Sequence, residues 1–257
     1  MTHFNLPHLK TRTFGRPTFH QPEVDSTQDL LKKLVDDGAK EGTIVLSDHQ
    51  SAGRGRQKRT WFSLPGPQIF CSILLRPSLP SHRWPLINIV AGLALRRTLQ
   101  EIGIATARIK WPNDVFLGGQ KVAGILSEVH VDKKRQRTVL LLGIGINVTG
   151  KKTDFPAELQ ESATTIETSI KSIDRLELLS HFLENFEEDL NNLAQQGSKR
   201  TCADFARHWI FRNQRISVVT DGSRYDGTAE AIDEDGALLL RHKGNVTRII
   251  SGDIIRT

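Results

Sequence analysis

Residues 51–61 read SAGRGRQKRTW, a stretch in which Arg54, Arg56, Lys58 and Arg59 crowd among glycines. Gly53 and Gly55 let the backbone approach a ligand closely and adopt positive φ. The arginines present planar donor forks suited to phosphate or carboxylate oxygens. Trp61 could cap such a loop or stack on a base. The stretch is neither a P-loop nor a dinucleotide fingerprint, because GxxxxGK[ST] and GxGxxG are both absent from it. Taken alone, a basic surface loop or an RNA-binding segment has the same composition.

Three other segments carry residues that suit chemistry. Residues 110–114 read KWPND, where Pro112 interrupts a strand pattern and sets Asn113 and Asp114 at a bend. Lys121 opens an otherwise apolar strand, so its ammonium must reach an edge or an anion. Glu128 lies seven residues later, on the opposite face of a regular strand. Residues 142–148, LGIGINV, hold two glycines inside a strand pattern, which marks close approach of a ligand or of backbone. Asn147 then either binds a ligand or ends the strand. Residues 25–28, DSTQ, read as a helix cap whose hydroxyls stay available to a ligand. In isolation, an Asx turn accounts for Asp114 and a solvated strand end for Lys121.

These residues need elements to hold them. Branched, apolar runs predict buried strands at 42–47 and 69–75. Leu86, Ile89, Val90, Leu93 and Ala94 recur at helical spacing before a stop at Gly103. Strands follow at 107–110, 114–117, 121–131 and 138–147, with Gly118-Gly119 as a hairpin turn. A second helix starts at Asp174, with Glu177 placed as in a capping box. Its stripe runs Leu179, Phe182, Leu183, Phe186, Leu190 and Leu193, and Gly197 ends it. After about residue 213, short strands (ISVVT, GTAEAI, ALLLR, VTRII) alternate with turns at Asp221-Gly222, Asp226-Gly227, Asp235-Gly236 and Lys243-Gly244. That cadence predicts a small all-β unit behind a large α+β domain.

Composition excludes several classes. The 257 residues are 38% hydrophobic and 25% charged, without an apolar run long enough to cross a bilayer or serve as a secretory core. The two cysteines, Cys71 and Cys202, exclude a disulfide scaffold or cysteine-ligated zinc and read as packing residues of a cytoplasmic protein. A net charge of +6 suits nucleic acid, nucleotide phosphates or acidic partners alike.

The segments occur in one order: Ser26-Thr27-Gln28, Gln50, GRGR at 53–56 with Arg59 and Trp61, KWPND at 110–114, KVAGIL at 121–126 and GIGINV at 143–148. In that combination the chain resembles the biotin protein ligase family, the biotin–[acetyl-CoA-carboxylase] ligases, over about residues 24–257. FPAEL at 155–159, ATT at 163–165 and GALLLR at 236–241 resemble it too.

The resemblance implies an α+β fold in two parts. Residues 1–212 would form a catalytic domain with a mixed β-sheet, like that of class II aminoacyl-tRNA synthetases, and residues 213–257 a small SH3-like β-barrel. It implies adenylation of biotin by ATP, with Mg²⁺ accompanying the nucleotide, then transfer of biotin to a lysine of a biotin carboxyl carrier protein or domain. By the same resemblance Ser26, Thr27 and Gln50 would bind biotin's ureido head, Gln28 would be a further biotin-binding residue, and Gly124 would let a strand approach biotin. Arg54, Gly55 and Arg56 would close over the carboxylate and phosphate, which Lys121 would neutralise. Arg56, Arg59, Trp61 and Asn147 would face the nucleotide, and Asp114 would hold Mg²⁺ or orient Lys121. Arg54, Arg56, Lys121 and Asp114 form the expected catalytic set.

Two positions depart from the family pattern: Lys58 stands where glycine is frequent, and Gln28 where asparagine is. Only 25 residues precede Ser26, broken by Pro7, Pro17 and Pro22, so a single-function enzyme without an N-terminal DNA-binding domain is expected. A homodimer is compatible with this type, and no membrane partner is expected. The competing readings are a lipoate ligase or octanoyltransferase of related fold and, in another class, a nucleic-acid-binding module.

Overall fold

The computed structural model of the protein describes residues 2–170, 173–220 and 222–256. Eight strands form one mixed sheet: β1 (Thr2–Phe4), β2 (Thr18–Val24), β3 (Ile44–Gln50), β4 (Ile69–Leu75), β5 (Arg108–Lys110), β6 (Asp114–Leu117), β7 (Gln120–Asp132) and β8 (Arg137–Ile146). Their spatial order is β1-β2-β3-β4-β8-β7-β6-β5. Among the described strands only β2 and β3 pair in parallel, connected by α1 (Thr27–Asp36). Helices α2 (Pro85–Glu101), α3 (Arg175–Gln196) and α4 (Lys199–His208) cover the other face.

The sheet's layering follows from its period of two. Along β8, Leu140, Leu142, Ile144 and Ile146 point to α2 and α3, while Val139 and Leu141 meet Leu31 and Val35 of α1. Both faces are covered, so these strands read as continuous apolar runs rather than alternating ones. Leu31 and Val35 are fully buried, each contributing about 1.5–3 kcal/mol. The α3 stripe closes the opposite face, with Phe182 and Phe186 stacked at 5.7 Å between ring centroids. Asp174 caps α3 by accepting from the amides of Leu176 and Glu177, and Gly197 ends it.

Residues 215–256 form a second, antiparallel sheet, β12-β11-β10-β9-β13: β9 (Arg215–Thr220), β10 (Ser223–Ile232), β11 (Leu238–His242), β12 (Asn245–Ile249) and β13 (Asp253–Arg256). It is tied to the first through the Trp111 indole, which donates to Gly236 O at 3.0 Å.

Most expected elements are present, with four differences. The Asp226-Gly227 pair is not a turn but lies inside β10, where the strand leaves β9 for β11. A side chain at Gly227 would come within 2.6 Å of Arg241 O, so this glycine answers to backbone crowding. β1 and β2 were not anticipated, because β2 carries Pro22 and is only half-buried over most of its length. α4 follows α3 directly after the Gly197 stop, and β13 is only four residues long. Asp221, of the expected Asp221-Gly222 turn, lies outside the described residues.

Cys71 is buried in the core under α2 and α3, as expected for a packing residue. Among the described residues, no helix is long and apolar enough to cross a membrane.

The β7–β8 hairpin is locked by Asp132, whose carboxylate is fully buried, 3.1 Å from Arg76 and 3.0 Å from Arg135. Burial alone would raise this carboxyl, but bonds from the Arg135 amide and guanidinium and from Arg76 outweigh it and hold it near 2. Its contribution to stability is therefore complete above the unfolded-state value, about 3.9, and is lost as pH falls through about 2. Acid unfolding should accordingly be less pH-dependent between about 4 and 2 in Asp132→Asn than in the native chain, measured by denaturant titration at each pH. Identical acid limbs would count against the assignment.

Candidate active site

A cavity of about 250 Å³ opens on the α1 face of the sheet. Its floor is bare backbone. Gly124 of β7 pairs directly with Gly145 of β8, and Leu126 pairs with Gly143. A Cβ at Gly124 or Gly145 would lie 2.6 Å from the Trp61 ring, and one at Gly143 2.7 Å from Gln28 Nε2. A side chain at any of the three positions would displace the Trp61 ring or the Gln28 amide that descends onto it.

A β-bulge corrects the expected orientation of Lys121 and Glu128. Pairing between β6 and β7 runs Asp114↔Gly124 and Val115↔Ala123, then jumps to Phe116↔Lys121. The extra residue, Val122, is buried beside Ala123 on the core face. The alternation therefore slips by one, and Lys121 shares its face with Gly124, Leu126 and Glu128. Glu128 consequently reaches the loop over the cavity, 3.2 Å from Arg54, and also Lys32 at 2.8 Å.

One end of the cavity is uncharged and rich in hydrogen-bonding groups. Ser26 occupies the N-cap position of α1, yet its side chain makes no capping bond. Capping falls instead to Gln50, whose Oε1 accepts from the Thr27 amide at 2.8 Å and the Thr27 hydroxyl at 3.0 Å. That bond holds the Gln50 amide in place at the end of β3. Gln28 Nε2 donates to Leu126 O at 2.9 Å, leaving its Oε1 buried without a partner among the described residues. A buried acceptor left unpaired is costly, and a ligand N–H would satisfy it.

The other end is charged. Lys121 Nζ lies 2.7 Å from Asp114 Oδ1 and 5.1 Å from the Trp61 ring centroid, over its face. Its backbone is pinned on both sides, the amide donating to Ser162 O and the carbonyl accepting from Thr164 N. Asn113 turns inward, its Nδ2 donating to Ile125 O at 2.7 Å. Asn147 lines the wall, held through Nδ2 to Thr164 O at 3.1 Å.

The basic loop is folded over this cavity by partners on three elements. Arg54 forms a fork with Asp29 of α1 and also meets Glu128. That contact lowers the Asp29 carboxyl and raises the Arg54 guanidinium. Arg56 donates to Gly252 O at 3.1 Å and sits 3.8 Å from Asp253, burial pushing its guanidinium below the usual range. Arg59 pairs with Asp253 as well. Gln57 and Lys58 turn the loop with φ of 53° and 61°, a conformation that costs about 1–2 kcal/mol outside glycine. Both side chains are exposed, and the Lys58 departure therefore places a non-glycine residue where glycine carries no penalty.

The thirteen residues expected to bind substrate or act in catalysis meet here: Ser26, Thr27, Gln28, Gln50, Arg54, Gly55, Arg56, Arg59, Trp61, Asp114, Lys121, Gly124 and Asn147 all line the cavity, whereas Lys58 and Glu128 do not. Asp29 and Asp253 were missed. Asp29 reads as an ordinary helix acid, and Asp253 belongs to an unanticipated strand distant in sequence. Phe155 and Leu159 supply apolar wall, and only the resemblance flagged that segment. Among the described residues no group of three or more His, Cys, Asp or Glu side chains could hold a metal.

If Asp253 latches the loop, Asp253→Asn should speed tryptic cleavage between residues 54 and 59 several-fold. The melting temperature should shift by only about 2 °C, as expected for exposed ion pairs. Unchanged cleavage would assign the loop's fold to other contacts.

Comparison with known proteins agrees along the chain. Residues 21–147 match the biotin/lipoate A/B protein ligase family, and residues 212–256 match the biotin protein ligase C-terminal domain. A bifunctional ligase/repressor of Bacillus spizizenii is 34% identical over 247 residues, covering 96% of this chain and 76% of that protein. A biotin–[acetyl-CoA-carboxylase] ligase of Mycobacterium tuberculosis is 30% identical, covering 88% and 84%. The structure of a biotin protein ligase from Aquifex aeolicus in complex with biotin and ATP superposes with a TM-score of 0.83 at 28% identity, covering 93% of this chain and 99% of that one. The chain belongs to the biotin protein ligase family.

Proposed function

We propose that the chain activates biotin with ATP and transfers it to a lysine of a biotin carboxyl carrier protein. The observation that carries this reading is a glycine-floored cavity with an uncharged hydrogen-bonding end and a cationic end centred on Lys121. Biotin has the matching polarity: a neutral cyclic urea at one end and a carboxylate at the other. In the first step a carboxylate oxygen attacks the α-phosphorus of ATP, and pyrophosphate leaves with the bonding pair. In the second, the acceptor lysine amine attacks the carbonyl of the mixed anhydride and AMP departs.

Each residue has a part consistent with its contacts. Ser26, Thr27 and the amide of Gln50 bind the urea, and the unpaired Oε1 of Gln28 accepts one urea N–H. Gly124 admits the ring system to the sheet. Lys121, held by Asp114, neutralises charge between carboxylate and α-phosphate, where a preorganised cation stabilises the transition state more than water does. Gly55 and Arg56 close the loop over the reacting groups, while Arg54 acts chiefly as its latch to Asp29. Arg59, Trp61 and Asn147 face the nucleotide. Mg²⁺ would accompany the phosphates of ATP and screen their charge, with Asp114, paired to Lys121 through Oδ1, as the carboxylate that would face it.

At the level of architecture we read residues 1–212 as the catalytic domain, its sheet arranged as in class II aminoacyl-tRNA synthetases, and residues 213–257 as an SH3-like barrel. The break between the two sheets before Arg215 supports that division. The acceptor docks on the outer edge of β7 past Leu126, beyond its pairing with β6, where Val129 and Val131 are exposed. A second copy of the chain pairing along that edge would give a homodimer. Lipoate and octanoate are disfavoured as substrates, because the relatives that span most of the chain are biotin ligases.

The test is exchange of labelled pyrophosphate into ATP with biotin, lipoate or octanoate added. Exchange should require biotin and fall by about 10²–10³-fold in Lys121→Ala. Exchange driven by lipoate instead would overturn the substrate assignment.

A further inference from the structure

We propose that Lys110 is a further substrate-binding residue, which holds the β- and γ-phosphates of ATP and the departing pyrophosphate at the mouth of the cavity. The proposal rests on the ATP-dependent reading above. Cross-strand register places Lys110 directly opposite Asp114, so the two side chains stand together on the cavity face of the sheet. Their neighbours Ile109 and Val115 point the other way, into the core beneath α2.

Three observations distinguish Lys110 from a surface lysine. Its ammonium lies over two rings, with Nζ 5.8 Å from the Phe116 centroid and 5.9 Å from that of Phe211. Burial accordingly holds its ammonium below the usual lysine range. Nevertheless Lys110 makes no ion pair among the described residues, because the nearby carboxylates are already taken. Lys121 holds Asp114, and Arg56 and Arg59 share Asp253. The mouth therefore carries four cations, Lys110, Lys121, Arg56 and Arg59, against the two acids Asp114 and Asp253.

Size gives the surplus a use. At about 250 Å³ the cavity is smaller than the ~300–1,000 Å³ typical of sites that enclose a drug-sized ligand. A cavity of that size does not enclose biotin together with a whole nucleoside triphosphate, which leaves the outer phosphates toward its rim. Lys110 is not part of the lining but stands across the strand pair from Asp114, which is. When the carboxylate attacks, the bond from the α-phosphorus to the bridging oxygen breaks and its electrons leave with pyrophosphate. An ammonium without an ion-pair partner next to that leaving group stabilises the growing charge.

A purely structural role is the alternative: a cation–π clamp fastening Phe211, which precedes β9, to the hairpin. Lys110→Met preserves the stem, and Lys110→Arg restores the charge. Biotin-dependent pyrophosphate exchange on the full chain should show KM for ATP and the inhibition constant for pyrophosphate both rising about tenfold in Lys110→Met and largely recovering in Lys110→Arg. Biotin affinity by calorimetry should stay within about twofold of native. A lowered melting temperature with both constants unchanged would overturn the proposal in favour of the clamp. If Lys110→Met does not fold, Lys110→Gln takes its place with the same outcomes. Failure of biotin-dependent exchange in the native chain would instead remove the parent reading.

Discussion

Everything in this site depends on the absence of three side chains. Gly124, Gly143 and Gly145 lie on adjacent, register-matched positions of β7 and β8, so the middle of a fully covered sheet has a bare patch. Elsewhere on this face Val139 and Leu141 are sealed under α1. Over the glycines the sheet is open to the Trp61 ring and the Gln28 amide, which approach closer than a Cβ would allow without their shifting, and to the Lys121 ammonium beside them. A rigid, paired backbone is a better floor than a loop, since its position is fixed by the ladder on both sides.

Around that floor, two kinds of positioning complement each other. The uncharged end is set by short-range bonds within the sheet and α1, as when Gln50 caps α1 and is held by it in return. The charged end is assembled from distant parts of the chain: the basic loop, the β6–β7 bulge, the 162–164 segment and Asp253 of the C-terminal sheet. Asp253 and Gly252 O grip Arg56 and Arg59, so the second sheet contributes directly to how the loop sits. Ion pairs at partly exposed sites are individually weak, and the loop's two left-handed residues oppose closure. A loop held this way can open for substrate and product without disturbing the core.

Much of this was legible in the sequence, for local reasons. Strands β4 and β6 coincide with the expected runs because their apolar or turn-bounded patterns are settled within a few residues. The ordered motifs pointed to every cavity residue first singled out. What escaped depends on tertiary context. The bulge at Val122 inverts the face of Lys121 relative to Glu128, and a period-two count cannot register one extra residue. Gly227 looked like a turn because crowding against Arg241 O arises only once β10 and β11 pair. Asp29 and Asp253 had no distinguishing neighbours, and their meaning comes from arginines 25 and 194 positions away.

The most direct test of the bare floor is the affinity of Gly124→Ala for biotin by titration calorimetry, beside its thermal unfolding. One methyl at this position meets Trp61 and Lys121 rather than core backbone. Affinity should fall by about 10- to 100-fold while the melting temperature moves by only a few degrees. Native affinity in a folded Gly124→Ala chain would contradict the account, because the cavity would then not depend on the missing side chain.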